Sequence, residues 1–166
     1  MKTAVLPLAL AFALFTPARS AEEKPAPQAA ARKIPSLRRP GFVFMELNTK
    51  HIEEYVAFFG SVMDFRETVR KGRYVVLQTD VAELTIMDPE LLPTGHPFHQ
   101  KLTGTGQGMG VEIGFVVADV DKAYAATIKH EGWKISSGIA RHPWGARDFR
   151  VLSPDGYYLR FTERSE

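Results

Sequence analysis

The chain has 166 residues, 45% hydrophobic and 24% charged, with two tryptophans, five tyrosines, eleven phenylalanines and no cysteine. That is enough apolar material for one sizeable core, and the absence of cysteine excludes disulfides, thiolate metal sites and a thiol nucleophile. The net charge of +2 does not mark a nucleic-acid surface, because Lys2 and Arg19 in the first twenty residues face no acid and leave nineteen basic and nineteen acidic side chains beyond them.

Lys2, an apolar run over 4–15 that is too short to span a bilayer, and small residues at Ala18 and Ser20 read as a secretory leader cleaved near Ser20-Ala21. With no cysteine after the run, a lipoprotein anchor is excluded. The expectation is a periplasmic or secreted protein with no stable membrane insertion after cleavage. Residues 21–40 mix proline, alanine and charge without periodicity and read as a flexible lead-in.

From Gly41 the same order of elements occurs twice. Residues 42–48 alternate as a strand, and Asn48 or Thr49 offers a cap for a helix carrying Ile52, Tyr55, Val56 and Phe59 on one stripe. Strand-like runs follow at 63–69, 73–79 and 82–87, with turns at Lys71-Gly72 and near Asp80. In the second copy, 111–118 is a strand and Asp119 a helix cap. Val120, Tyr124 and Ile128 form the apolar stripe, Gly132 stops the helix, and strands are expected over 133–139, 147–152 and 157–163. The spacing predicts an α+β fold of two tandem βαβββ modules, 41–88 and 110–164, joined by an irregular linker over 89–109. Each module has a four-stranded sheet with a helix on one side, and pairing the two open faces makes a cup around a cavity.

The most distinctive stretch is the tail, HPWGARDFRVLSPDGYYLRFTE over 142–163. Phe149 and Val151 alternate with Arg150 and Leu152, Asp155-Gly156 supplies a turn, and Leu159 and Phe161 alternate with Tyr158, Arg160 and Thr162. This ordered run, together with the tandem βαβββ pattern, resembles the vicinal oxygen chelate superfamily, which includes glyoxalase I, extradiol dioxygenases, and fosfomycin- and bleomycin-resistance proteins. The Pro-Trp-Gly segment and following hairpin are most similar to the bleomycin-resistance and glyoxalase-like branch. The resemblance covers residues 41–163 and implies a glyoxalase/bleomycin-resistance/dihydroxybiphenyl dioxygenase-like fold. It also implies a homodimer.

Enzymes of that superfamily hold a divalent metal on the inner sheet faces, with His or Glu ligands from the first and last strands of each module. The resemblance places those four positions on Phe44, Thr85 (or Glu83 in a register shifted by two), Glu112 and Arg160. A phenyl ring cannot ligate, a threonine hydroxyl is a poor ligand, and a guanidinium puts positive charge where the cation would sit. The expectation is a degenerate site with no cofactor. A divalent metal then requires a rearranged set drawn from Glu46, Glu83, Glu112 and His142. His51 and His130 are expected to be solvated, and His96 and His99 lie among prolines and glycine, away from a helical ligand pair. The run over 103–110 leads into a strand rather than a helix and reads as a hinge instead of a phosphate loop.

The candidate ligand-binding residues are Phe44, Glu46, Glu112, Trp144, Tyr158 and Arg160, with Thr162 beside them; catalytic residues are not assigned. Such a lining stacks a planar ring and pairs a charged substituent. For Arg160, a structural salt bridge to Glu112 or Glu46 is the competing reading. The leading expectation is an exported, metal-independent protein binding a small aromatic or peptidic molecule. The alternatives are a metal-dependent lyase or dioxygenase with an altered ligand set, a metal-free enzyme with Glu46 or Glu112 as general base, and an interaction module without a small ligand.

Overall fold

The computed structural model describes residues 43–96, 98 and 107–163. The leader, the lead-in and part of the linker, including His99, lie outside the described residues. In chain order the elements are β1 (Met45–Asn48), α1 (Ile52–Met63), β2 (Arg66–Lys71), β3 (Tyr74–Gln78), β4 (Glu83–Met87) and a 3-10 turn (Pro89–Leu91). Then come β5 (Glu112–Val116), α2 (Val120–Thr127), β6 (Lys134–Arg141), β7 (Arg147–Leu152) and β8 (Tyr158–Glu163). Neither helix is long and apolar enough to cross a membrane.

Two mixed four-stranded sheets result, ordered β1-β4-β3-β2 and β5-β8-β7-β6. In each, the first strand of a module runs parallel to its last, and the remaining pairs are antiparallel. This is the expected α+β fold of two βαβββ modules. The matching parallel pairs, Glu46 beside Thr85 and Gly114 beside Arg160, make the modules superposable in register.

Strand periodicity sends Leu47, Leu84, Ile86, Val75 and Leu77 of the first sheet, and Phe115, Leu159, Phe161, Phe149 and Val151 of the second, into one core. The helices lie within that same core. α1 packs on β4 and against α2, which covers β6, β7 and β8. Phe58 stacks on Trp133 at 3.5 Å between ring centroids and meets Phe161 edge-on at 6.0 Å, while Phe59 lies 5.7 Å from Phe115. The two sheets therefore meet across their helices, and the other face of each is turned away from the shared core. The apolar stripe of a helix fixes which face is buried but not which sheet will cover it.

A polar joint reinforces this contact. The loop between β7 and β8 inserts Asp155, 8% exposed, against the first module. Thr49 Oγ1 donates to Asp155 Oδ2 at 2.6 Å, and the Tyr55 hydroxyl lies 2.8 Å from both that oxygen and Ser153 Oγ. Burial, with Asp155 alongside, pushes the Tyr55 hydroxyl well above the usual tyrosine range. The Tyr157 hydroxyl accepts the Asn48 N–H at 3.0 Å and lies 3.0 Å from Gln107 Oε1. Its ring fits where Gly108, at φ +78°, has no side chain, since a Cβ there would come within 2.7 Å of the ring.

Several boundaries differ from the expectation for physical reasons. α1 starts at Ile52 after His51, which makes no side-chain cap; Thr49 lies two residues earlier, where its hydroxyl donates to Asp155 and accepts the His51 N–H at 2.9 Å. α1 runs through Met63 and stops at Asp64, whose left-handed φ of 55° lets its N–H reach Phe59 O. In α2, Asp119 caps as expected by accepting from Lys122 N–H at 3.0 Å. The buried positions are Val120, Ala123 and Thr127, while Ile128 is 60% exposed because the helix ends before it. His130 is not simply solvated: Nε2 lies 2.7 Å from Ser61 Oγ and the ring packs on Phe58.

Candidate ligand-binding face

On β5 and β8 the residues that point away from the core are Glu112, Gly114 and Val116, and Tyr158, Arg160 and Thr162. On β7 they are Asp148, Arg150 and Leu152. Side chains here join into one chain of ion-pair contacts across three strands and the turn after β6. Arg160 Nε lies 3.3 Å from Glu112 Oε1, and Arg150 Nε lies 3.4 Å from Glu112 Oε2. Arg150 Nη1 donates to Asp148 Oδ1 at 2.8 Å. His142 Nε2 lies 2.9 Å from Asp148 Oδ2. Asp148 is only 2% exposed, so the Arg150 guanidinium offsets its desolvation.

The Pro143-Trp144-Gly145 stretch turns the chain from β6 into β7, closed by His142 N–H to Ala146 O at 2.8 Å. Trp144 stands at 72% exposure with one ring face stacked on His142, centroids 4.5 Å apart and planes within 4°. Its other ring face is left as a platform.

The structure thus brings together Glu112 and Arg160, with Tyr158 on the same face and Trp144 linked through His142. It does not bring Phe44, Glu46 and Thr85 to them. Phe44, 45% exposed, precedes β1, Glu46 is exposed on β1, and Thr85 is fully buried on β4 with no hydrogen-bond partner for its hydroxyl. Glu83, the shifted alternative, is 3% exposed and accepts from Gln78 Nε2 at 2.7 Å. Arg160 has its carboxylate from Glu112, not from Glu46. Asp148 and Arg150 were not anticipated. The available signal was the alternation of Asp148 and Arg150 with Phe149 and Val151, which puts two charges on a strand whose other face is fully apolar.

Two concavities occur elsewhere among the described residues. One, of 620 Å³, lies between α1 and the 129–133 segment; the other, of 340 Å³, lies between the end of α1 and the start of α2. Neither includes any of the candidate ligand-binding residues.

A sequence profile of the Glyoxalase/Bleomycin resistance protein/Dioxygenase superfamily matches residues 41–161. The chain belongs to that superfamily. Solved structures agree on the fold. A glyoxalase/bleomycin resistance protein/dioxygenase family enzyme from Burkholderia phytofirmans PsJN superposes with TM-score 0.60 at 18% identity, over 74% of this chain and 97% of the other. A glyoxalase/bleomycin resistance protein/dioxygenase from Nocardioides gives 0.58 at 22% identity, over 77% and 85%. Lactoylglutathione lyase from Agrobacterium tumefaciens gives 0.54 at 17% identity, over 75% and 95%. A comparison with curated proteins finds no match.

The divalent metal that the superfamily implies can be tested against the residues present. The parallel registers make Thr85 and Arg160 equivalent, and Phe44 and Glu112 equivalent two residues before Glu46 and Gly114. Of these four, one is a ring, one a buried hydroxyl and one a cation, and the single carboxylate already faces two guanidiniums. They do not fit a divalent cation. Among the described residues no group of three or more His, Asp or Glu has metal-binding geometry.

Proposed function

We propose that this chain is an exported, metal-independent binding protein that holds a small molecule against the outer face of its second sheet. The observation that carries this reading is Arg160 paired with Glu112 at positions where chelation would need free donors. Sequestration requires shape, stacking surface and hydrogen-bond donors, and no group that transfers electrons or protons. The exposed Trp144 ring and the partly exposed Tyr158 and Arg160 supply such a surface.

The protein acts as a homodimer in this account. β1 and β5 are edge strands with no neighbour on one side within their own sheets, and the outer sheet faces point away from the core. A second copy can lay its first sheet, with Phe44 and Glu46, beside the second sheet and close the cup over the ligand. Sedimentation of the mature chain should give twice the monomer mass, and a monomer would remove this part of the account.

The test of binding is a thermal-denaturation screen against aromatic and peptidic small molecules, run once in chelator and once with added divalent metal. A ligand specific for the folded state raises stability by about 2.7 kcal/mol at a hundred times its dissociation constant. Stabilisation in chelator by a few compounds is expected; stabilisation that appears only with added metal would favour a metal-dependent lyase or dioxygenase. That second reading draws on the fold neighbour described as lactoylglutathione lyase, and it needs a donor set other than the four equivalent positions. No stabilising compound, together with capture of a protein partner, would favour an interaction module.

A further inference from the structure

The hydrogen-bonding capacity of the second sheet's outer face is unbalanced, and the imbalance has a sign. Each carboxylate oxygen has a nitrogen beside it: Glu112 a guanidinium nitrogen at each oxygen, and Asp148 Arg150 at one oxygen and His142 at the other. A cationic ligand approaching Glu112 would meet the charges of Arg150 and Arg160. The donors are in surplus, since a guanidinium carries five N–H groups and Arg160 faces Glu112 with Nε, without hydrogen-bond alignment. Its Nη1 and Nη2 make no hydrogen bond among the described residues, and the side chain is 38% exposed.

The neighbouring strand leaves these nitrogens uncovered. Gly114 sits in register beside Arg160, and a Cβ at Gly114 would already be 3.6 Å from Nη2. Any side chain longer than alanine would lie over the guanidinium. Tyr158, two residues along β8, faces the same way. With two guanidiniums and two carboxylates, the face is neutral when His142 is neutral, so a single negative charge suits it better than a dianion.

We propose that Arg160, through its two η nitrogens and the gap left by Gly114, takes the carboxylate group of a monoanionic ligand, so that the molecules bound here are carboxylic acids rather than amines or neutral compounds. This rests on the reading of the face as a ligand site. Paired N–H donation from one guanidinium to one carboxylate supplies both strength and orientation.

The test uses the full mature chain and three probes of similar size, benzoate, benzyl alcohol and benzylammonium, titrated calorimetrically alongside a broad panel of neutral and cationic aromatics. Benzoate should bind tightest of the three, and Arg160→Gln should weaken it at least tenfold. Gly114→Val should do the same while leaving the thermal midpoint unchanged or raised, because a β-branched residue suits an exposed strand position. The carboxylate assignment is overturned if benzylammonium or benzyl alcohol binds as well as benzoate, or if Gly114→Val leaves benzoate affinity intact. If neutral or cationic members of the panel bind while benzoate does not, the assignment falls and the binding reading stands. If nothing in the panel binds, both fall.

Discussion

The two sheets share strand order and register but not the chemistry of their outer faces. At the equivalent last-strand positions, Thr85 is sealed from solvent with an unpartnered hydroxyl, whereas Arg160 is 38% exposed and joined to a network of ion pairs. Around Thr85 the outer face is closed, with Val76, Glu83 and Met87 all under 9% exposed. Around Arg160 it is open, with Glu112, Gly114, Val116 and Leu152 exposed. The inner faces are alike because both feed one apolar core. The outer faces are free of that requirement, and one repeated backbone therefore carries a closed surface in one copy and a donor-rich surface in the other.

The comparison breaks hardest if the two modules do not share a core. Phe161 stacks against Phe115 and Phe149 and meets Phe58 from the first module. Phe161→Ala should cost about 3–5 kcal/mol, with both modules melting in one transition in urea. Two separate transitions would show the cores to be independent.

The joint at Asp155 comes next. Asp155→Ala leaves the buried Thr49 hydroxyl without its acceptor and the Tyr55 hydroxyl with Ser153 Oγ alone, and should cost about 2–3 kcal/mol by chemical denaturation. Asp155→Asn keeps an acceptor oxygen and should lose less.

The equivalent pair sharpens the contrast itself. Thr85→Val removes an unsatisfied buried hydroxyl and should be neutral or stabilising by about 1 kcal/mol. Arg160→Met removes a partly exposed, poorly aligned ion pair and should change stability by no more than about 1 kcal/mol, while abolishing ligand binding. The opposite pattern, a large stability loss at Arg160 with binding retained, would make the arginine purely structural.

The smallest effect lies at His130, held below its ordinary value of 6.5 by burial. Below that pH the unfolded chain takes up the proton more readily than the folded one, so stability is full above this window and declines as pH falls through it. His130→Gln should flatten that part of the pH–stability profile.

The fold was legible because the alternations in β4, β5, β7 and β8 are regular and the turns are marked by glycine. β7 falls at the expected residues, and the inward and outward assignments along β8 follow from its period of two. What escaped is the pairing of elements distant in sequence. Asp155-Gly156 accounts for a tight turn locally, and nothing adjacent shows the carboxylate reaching Thr49 and Tyr55, 106 and 100 residues away. Glu112 and Arg160 were legible as a pair from strand position. Asp148 and Arg150 entered only when β7 was laid beside β8.

The central claim is that Glu112 and Arg160 belong to a ligand-binding face, and that the four equivalent positions Phe44, Thr85, Glu112 and Arg160 hold no metal. Elemental analysis of the full chain, purified without chelator and then equilibrated with Fe(II), Mn, Ni and Zn before gel filtration, tests it most directly. The account predicts substoichiometric metal and a thermal midpoint unmoved by chelator. One equivalent of a single metal retained per chain, with a midpoint that drops when it is stripped, would contradict it.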